Sequence, residues 1–153
     1  MAHRKLVLVA ATFGLVLQSA AASVMFENCG TSTVGKVSNI DISGCDTHST
    51  CKLIRGSNAS LAISFQTSGG AKQLQSVVHG VIHGLPVPFN FPYPDACSYG
   101  GLSCPIETNT PLVYTAALPI LKTYPRISVK IQWELKDEDD NDIFCVRIPS
   151  VLH

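Results

Sequence analysis

Ile127, Val129, Ile131, Trp133 and Leu135 alternate without a break with Ser128, Lys130, Gln132, Glu134 and Lys136. Successive side chains of an extended strand point to opposite faces, so this period of two predicts a half-buried β-strand. Leu61, Ile63 and Phe65 alternate with Ala62, Ser64 and Gln66 in the same way. Segments 34–42, 74–82, 112–121 and 144–151 are further strand candidates, with prolines and glycines punctuating the intervals. No apolar period of 3.6 stands out beyond the first 22 residues. Six or seven short strands in about 130 residues predict an all-β fold, an antiparallel β-sandwich, with no internal repeat and no second domain. The run Lys136-Asp-Glu-Asp-Asp-Asn-Asp142 falls between the last two strands and predicts a solvated hairpin turn.

The start of the chain follows a different pattern. His3, Arg4 and Lys5 precede an uncharged apolar run from Leu6 to Leu17, and Ala20-Ala21-Ala22 offers a small-residue cleavage site. A basic head, a short apolar stretch and small residues form the pattern of a secretory signal peptide, and 12 apolar residues are too few to span a bilayer comfortably. The expected organisation is a leader over residues 1–22 and one domain over residues 23–153. Loss of Arg4 and Lys5 leaves nine basic residues against eleven acidic ones, a net charge near −2. That balance argues against nucleic acid as a partner, because phosphate binding needs a basic excess.

Export places the six cysteines in an oxidising compartment. Six cysteines allow fifteen pairings. Sequence distance suggests one of them: Cys45 with Cys51 and Cys97 with Cys104 bracket short segments, which leaves Cys29 and Cys145. In the chain-entropy model the long loop contributes about 5 kcal/mol and each short loop about 2 to 2.5 kcal/mol. The irregular spacing, without a C-x-x-C pair, does not fit zinc. Asn58-Ala-Ser60 is an N-glycosylation sequon in an exported chain.

The chain offers little reactive chemistry. His79 and His83 have a metal-ligand spacing for a helix, but four residues of strand span roughly 13 Å, too far for one ion. The acidic turn lacks the glycine and terminal glutamate of a calcium loop. Disulfide pairing leaves no nucleophilic thiol, and the chain has neither a nucleophile elbow nor a phosphate-cradling glycine loop. No catalytic residue, metal or cofactor is expected, and an enzyme is the least favoured class.

Gly84-Leu-Pro-Val-Pro-Phe-Asn-Phe-Pro-Tyr-Pro94 interleaves Pro86, Pro88, Pro92 and Pro94 with Phe89, Phe91 and Tyr93. Proline fixes φ and removes a donor, so a stiff extended loop is expected there, not a central strand. Its aromatics either cap the core or line an apolar opening. The strand pattern alone fits both a fully packed sandwich and one whose sheets splay around a dry hollow.

Phe26-Glu-Asn-Cys-Gly30, Val77-Val-His-Gly80, Pro86-Val-Pro-Phe89, Pro94-Asp-Ala-Cys97, Cys104-Pro-Ile106, Leu118-Pro119, Tyr124-Pro125, Gln132-Trp-Glu-Leu135 and Phe144-Cys145 are each weak motifs. In this order and spacing, with all six cysteines in place, the chain from about Phe26 to Pro149 resembles the Niemann-Pick type C2 proteins, sterol carriers of the ML lipid-recognition domain family. The resemblance implies an immunoglobulin-like β-sandwich of two antiparallel sheets with an apolar cavity between them. It implies the disulfides Cys29–Cys145, Cys45–Cys51 and Cys97–Cys104. The family's pocket-mouth phenylalanine falls on Phe89, its tyrosine on Tyr124 and its pocket valine on Ile120. Trp133, Pro119 and Val87 match other positions lining or flanking the cavity. His83 stands at a rim position that is methionine in the familiar carriers, where a histidine would charge at acidic pH.

The resemblance further implies a secreted monomer, acting outside the cell or in the lumen of lysosomes or late endosomes. Such a protein would bind cholesterol or a related sterol without covalent chemistry. It would touch membranes transiently and hand its cargo to a membrane-embedded sterol transporter. An extracellular carrier of fatty acids or other small apolar signals is the alternative within the family. A module that presents lipid to an immune receptor is the alternative from another class.

Overall fold

The computed structural model describes residues 23–31, 33–45 and 50–153. The leader expected over residues 1–22 lies outside the described residues. Two sheets face each other. The larger runs, edge to edge, through β1 (Glu27–Asn28), β9 (Asp142–Leu152), β8 (Ser128–Lys136), β5 (Gln75–Ile82) and β6 (Leu85–Phe89), with β3 (Cys51–Leu53) paired to the end of β9. The smaller runs β2 (Gly35–Ile42), β4 (Ser57–Thr67), β7 (Leu112–Ile120). Every pairing is antiparallel except that of β3 with β9.

The two clearest alternations in the sequence belong to strands with a neighbour on each side, β8 and β4. Val129, Ile131, Trp133 and Leu135 of β8 point inward, and so do Ala59, Leu61, Ile63 and Phe65 of β4. The proline-rich segment departs from expectation in part. Residues Leu85–Phe89 form an edge strand rather than a loop. Pro86 and Pro88 are tolerated because only one side of an edge strand needs its donors. A four-residue helix, α1 (Ala96–Tyr99), follows. The Asp95 carboxylate caps it, accepting from the Cys97 and Ser98 amides at 3.0 and 3.1 Å. Ser98, through its hydroxyl and then its amide, holds the Asp95 carboxyl below the ordinary carboxylate range. Gly100, after the helix, admits no side chain, since a Cβ there would lie 2.8 Å from the Tyr114 ring.

Three disulfides tie these parts together. Cys29–Cys145 fastens β1 to β9, Cys45–Cys51 closes the loop before β3, and Cys97–Cys104 anchors α1.

The two halves of the interior are filled differently. Phe65, Phe91, Tyr114, Trp133 and Phe144 occupy one end, all buried. They meet edge to face, with ring centroids 5.1 Å apart for Phe65–Phe144 and 5.0 Å for Phe91–Trp133. Ser76 of β5 and Tyr114 of β7 share a buried hydrogen bond of 2.7 Å that links the sheets at this end. The other end is aliphatic: Leu118, Ile120, Val129, Ile131 and Leu152. Shorter side chains across the same gap leave space.

Desolvation pushes the Tyr114 phenol up to about 12, with its bond to Ser76 acting the other way. The folded state therefore keeps a proton that the unfolded chain releases near pH 10. The stability tied to this proton is fully present below pH 10. It is expected to fall by about 2–3 kcal/mol as the pH rises towards 12. Urea midpoints at pH 9 and 11.5 check this, and Tyr114→Phe should flatten the decline. An equal decline in both proteins would contradict it.

Candidate functional site

The aliphatic end opens to the outside through a cavity of about 210 Å³. Its walls come from both sheets: Gly80, Ile82, Val87 and Phe89 from β5 and β6, Leu118 and Ile120 from β7, Val129 and Ile131 from β8. Tyr124, Pro125 and Ile127, from the connection between β7 and β8, complete the rim. Phe89 and Tyr124 meet across the mouth with ring centroids 5.8 Å apart, edge to face. Burial pushes the Tyr124 phenol above the ordinary tyrosine value, so the rim stays uncharged. Asn90 supplies the one amide side chain of the lining.

Further in, the sheets nearly close. A gap of about 10 Å³, about one water in size, lies against Leu61, Trp133 and Ile148. It shares Leu118 and Ile131 with the outer cavity, so the two spaces adjoin. Pockets that enclose a small molecule usually measure about 300–1,000 Å³. The cavity as it stands is smaller, and a sizeable guest must part the sheets along Leu118 and Ile131. The aliphatic side chains there form no hydrogen bonds that would resist it.

The expected site residues separate into three groups. Val87, Phe89, Ile120 and Tyr124 come together on the cavity wall. Trp133 lies deeper, on the inner gap, fully buried between Val78 and Val146 in the sheet. Pro119 does not line the cavity; it pairs with Asn58 on β4 and is half-buried. Asn58 itself is exposed. His83 also lies off the cavity wall. It sits in the turn after β5 at φ 49° and borders a separate surface depression with Ser128, Lys130 and Arg147. Val129 and Ile131 were expected on the buried face of their strand but not on the cavity wall, although the alternation of β8 puts them on the same face as Trp133.

Among the described residues nothing reactive lines the hollow. Glu134, Asp142 and Cys145 are the residues that draw closest to a metal-ligand arrangement among those described. Cys145 is in a disulfide, and the Lys136 ammonium lies 3.0 Å from Asp142 and 3.6 Å from Glu134, so a side-chain cation already stands between the carboxylates. His79, on the outer face of β5, approaches Glu134 at 3.5 Å. Among the described residues no helix is long and apolar enough to cross a membrane.

A disulfide-stapled sandwich whose sheets part at one end around an apolar hollow defines an immunoglobulin-like β-sandwich with an interior cavity. The chain belongs to the ML domain family, whose model matches residues 23–152. It is 43% identical, over 133 residues, to the NPC intracellular cholesterol transporter 2 homolog a of Drosophila melanogaster, covering 86% of this chain and 89% of that protein. Over 126 residues it is 39% identical to NPC intracellular cholesterol transporter 2 of Danio rerio, covering 82% and 83%. Its fold is similar to the crystal structure of a Niemann-Pick type C2 protein from the Japanese carpenter ant, with a TM-score of 0.79 and 34% identity over 84% of this chain and 99% of that one. The family expected from the ordered motifs is thus the family found.

Proposed function

We propose that this chain is a non-enzymatic lipid carrier that binds cholesterol or a related sterol in the cavity between its sheets. The observation that carries this reading is the apolar hollow behind Phe89 and Tyr124. The relatives named as cholesterol transporters support the choice of sterol. Burying about 400 Å² of apolar ligand surface releases about 10 kcal/mol gross, before the cost of association. No bond need be made or broken. The hydroxyl stays at the mouth near Asn90 and Tyr124, because burying it without a partner costs a few kcal/mol. The ring system enters between Leu118 and Ile131 towards Trp133.

The carrier acts as a secreted monomer, outside the cell or in the lysosomal lumen, with a glycan on the exposed Asn58. It exchanges sterol with membranes, to which Leu85 and Val87 of β6 present exposed apolar side chains, or with a membrane-embedded transporter.

Displacement of a fluorescent sterol by cholesterol, at acidic and at neutral pH, tests the reading. Saturable one-to-one displacement is expected. Phe89→Ala and Tyr124→Ala are each expected to weaken binding about tenfold, the scale of one lost aromatic contact with its buried area. Absence of saturable binding at both pH values rejects a sterol carrier, and preferential displacement by fatty acids favours the alternative cargo.

A further inference from the structure

We propose that Arg55 is the latch of the cavity, a positioning residue that governs how fast cargo enters and leaves by holding the turn that carries Tyr124. This rests on the carrier reading above.

Tyr124 is one of the two aromatic side chains that meet across the mouth, and it lies on a connection rather than in a sheet. That connection, residues 121–127, must be held from outside if Tyr124 is to stay over the opening. Its own turn contributes one bond, from the Tyr124 amide to the Leu121 carbonyl at 3.1 Å. Arg55, in the turn between β3 and β4, supplies two more. Its Nη1 donates to the Lys122 carbonyl at 3.0 Å and to the Tyr124 carbonyl at 2.9 Å. No other side chain hydrogen-bonds this connection among the described residues. The neighbouring Gly56 amide donates to the Ile120 carbonyl, just before the turn. Gly56 has φ +84°, and a Cβ there would lie 2.7 Å from the Lys122 side chain. Two turns distant in sequence are thus pressed together where a single guanidinium can reach both carbonyls.

The same arginine is tied to the cavity from its other side. Its amide donates to the His153 carbonyl at 2.9 Å, next to Leu152 of the cavity wall. Arg55 therefore bridges the turn that carries Tyr124 and the end of β9 beside the cavity wall. The grip is firm but balanced. Hydrogen bonds from a charged donor are stronger than neutral ones. Against that, among the described residues no carboxylate pairs with this guanidinium, and its Nε is shielded without a partner. Swinging out would restore water to Nε, so a closed and an open arrangement lie close enough in free energy for cargo to exchange.

Stopped-flow uptake and release of a fluorescent sterol, with amide hydrogen exchange on the ligand-free chain, tests the latch. For Arg55→Ala, which loses both bonds from a charged donor, both rates are expected to rise at least about tenfold, with the dissociation constant changed by less than about twofold. Amides of residues 121–127 should exchange faster while those of β8 do not. Arg55→Lys should fall between, because one ammonium grips two carbonyls less well than a planar guanidinium. A merely structural arginine would lower the melting temperature without raising both rates in step. Native uptake with unchanged rates in Arg55→Ala overturns the latch alone. Unchanged amide exchange at 121–127 overturns it as well, whatever the chain binds. A native chain that takes up no sterol overturns the carrier reading and the gating role with it.

Discussion

Replacing Cys29 and Cys145 together by serine is expected to lower the unfolding free energy by about 5 kcal/mol. The bond joins residues 116 apart in sequence, so without it the unfolded chain regains nearly all of its freedom. Natural domains are stable by only about 5–15 kcal/mol, so a loss of this size is a third or more of the whole. Local structure offers little replacement. β1 has two residues, and the Cys29 amide makes a single bond of 3.0 Å to the Cys145 carbonyl. Cys45 and Cys51 are only six residues apart, so their double replacement should cost about half as much. Urea unfolding of the two variants gives the comparison. A Cys29/Cys145 variant no less stable than the Cys45/Cys51 variant would show that native contacts, not chain closure, hold the N-terminal segment.

Trp133→Ala carries the second large effect, a loss of about 3–5 kcal/mol. The indole is completely buried, packs edge to face on Phe91 and tilts against Tyr114 at 5.9 Å. It marks where the solid aromatic end of the sandwich meets the hollow aliphatic end. Alanine would merge the inner gap with the space left by the ring, and the rigid walls would collapse only partly. The mouth lies elsewhere, so sterol affinity should change by less than about tenfold while stability drops sharply. Chemical unfolding and sterol titration of the same preparation separate these effects. Native stability in the variant would mean that the indole is not a packed floor, and complete loss of binding in a folded variant would place it in the site proper.

What the sequence disclosed follows from the physics of each element. β8 and β4 were legible because they lie mid-sheet with one face on the core, and burial on one face writes a period of two. β1, β3 and α1 are two, three and four residues long, too short to write any period. β6 was concealed by its prolines, which mark an edge as readily as a loop. Phe89, Tyr124 and Ile120 were placed through the ordered motifs, since no local pattern distinguishes a wall residue from a core residue. Val129 and Ile131 were within reach, four and two positions from Trp133 on one face. Arg55 was not, because its partners are backbone carbonyls 67 and 69 residues away, and carbonyls leave no trace in side-chain identity.

The central claim is that a sterol lies between the two sheets. It is tested most directly by nuclear Overhauser contacts between isotope-labelled cholesterol and the methyl groups of the chain. Contacts are expected from the ring system to Leu118, Ile120 and Ile131 at one-to-one stoichiometry, with the hydroxyl end nearest Tyr124. Contacts confined to the exposed methyl groups of Leu85 and Leu121, or none at saturating sterol, would contradict it.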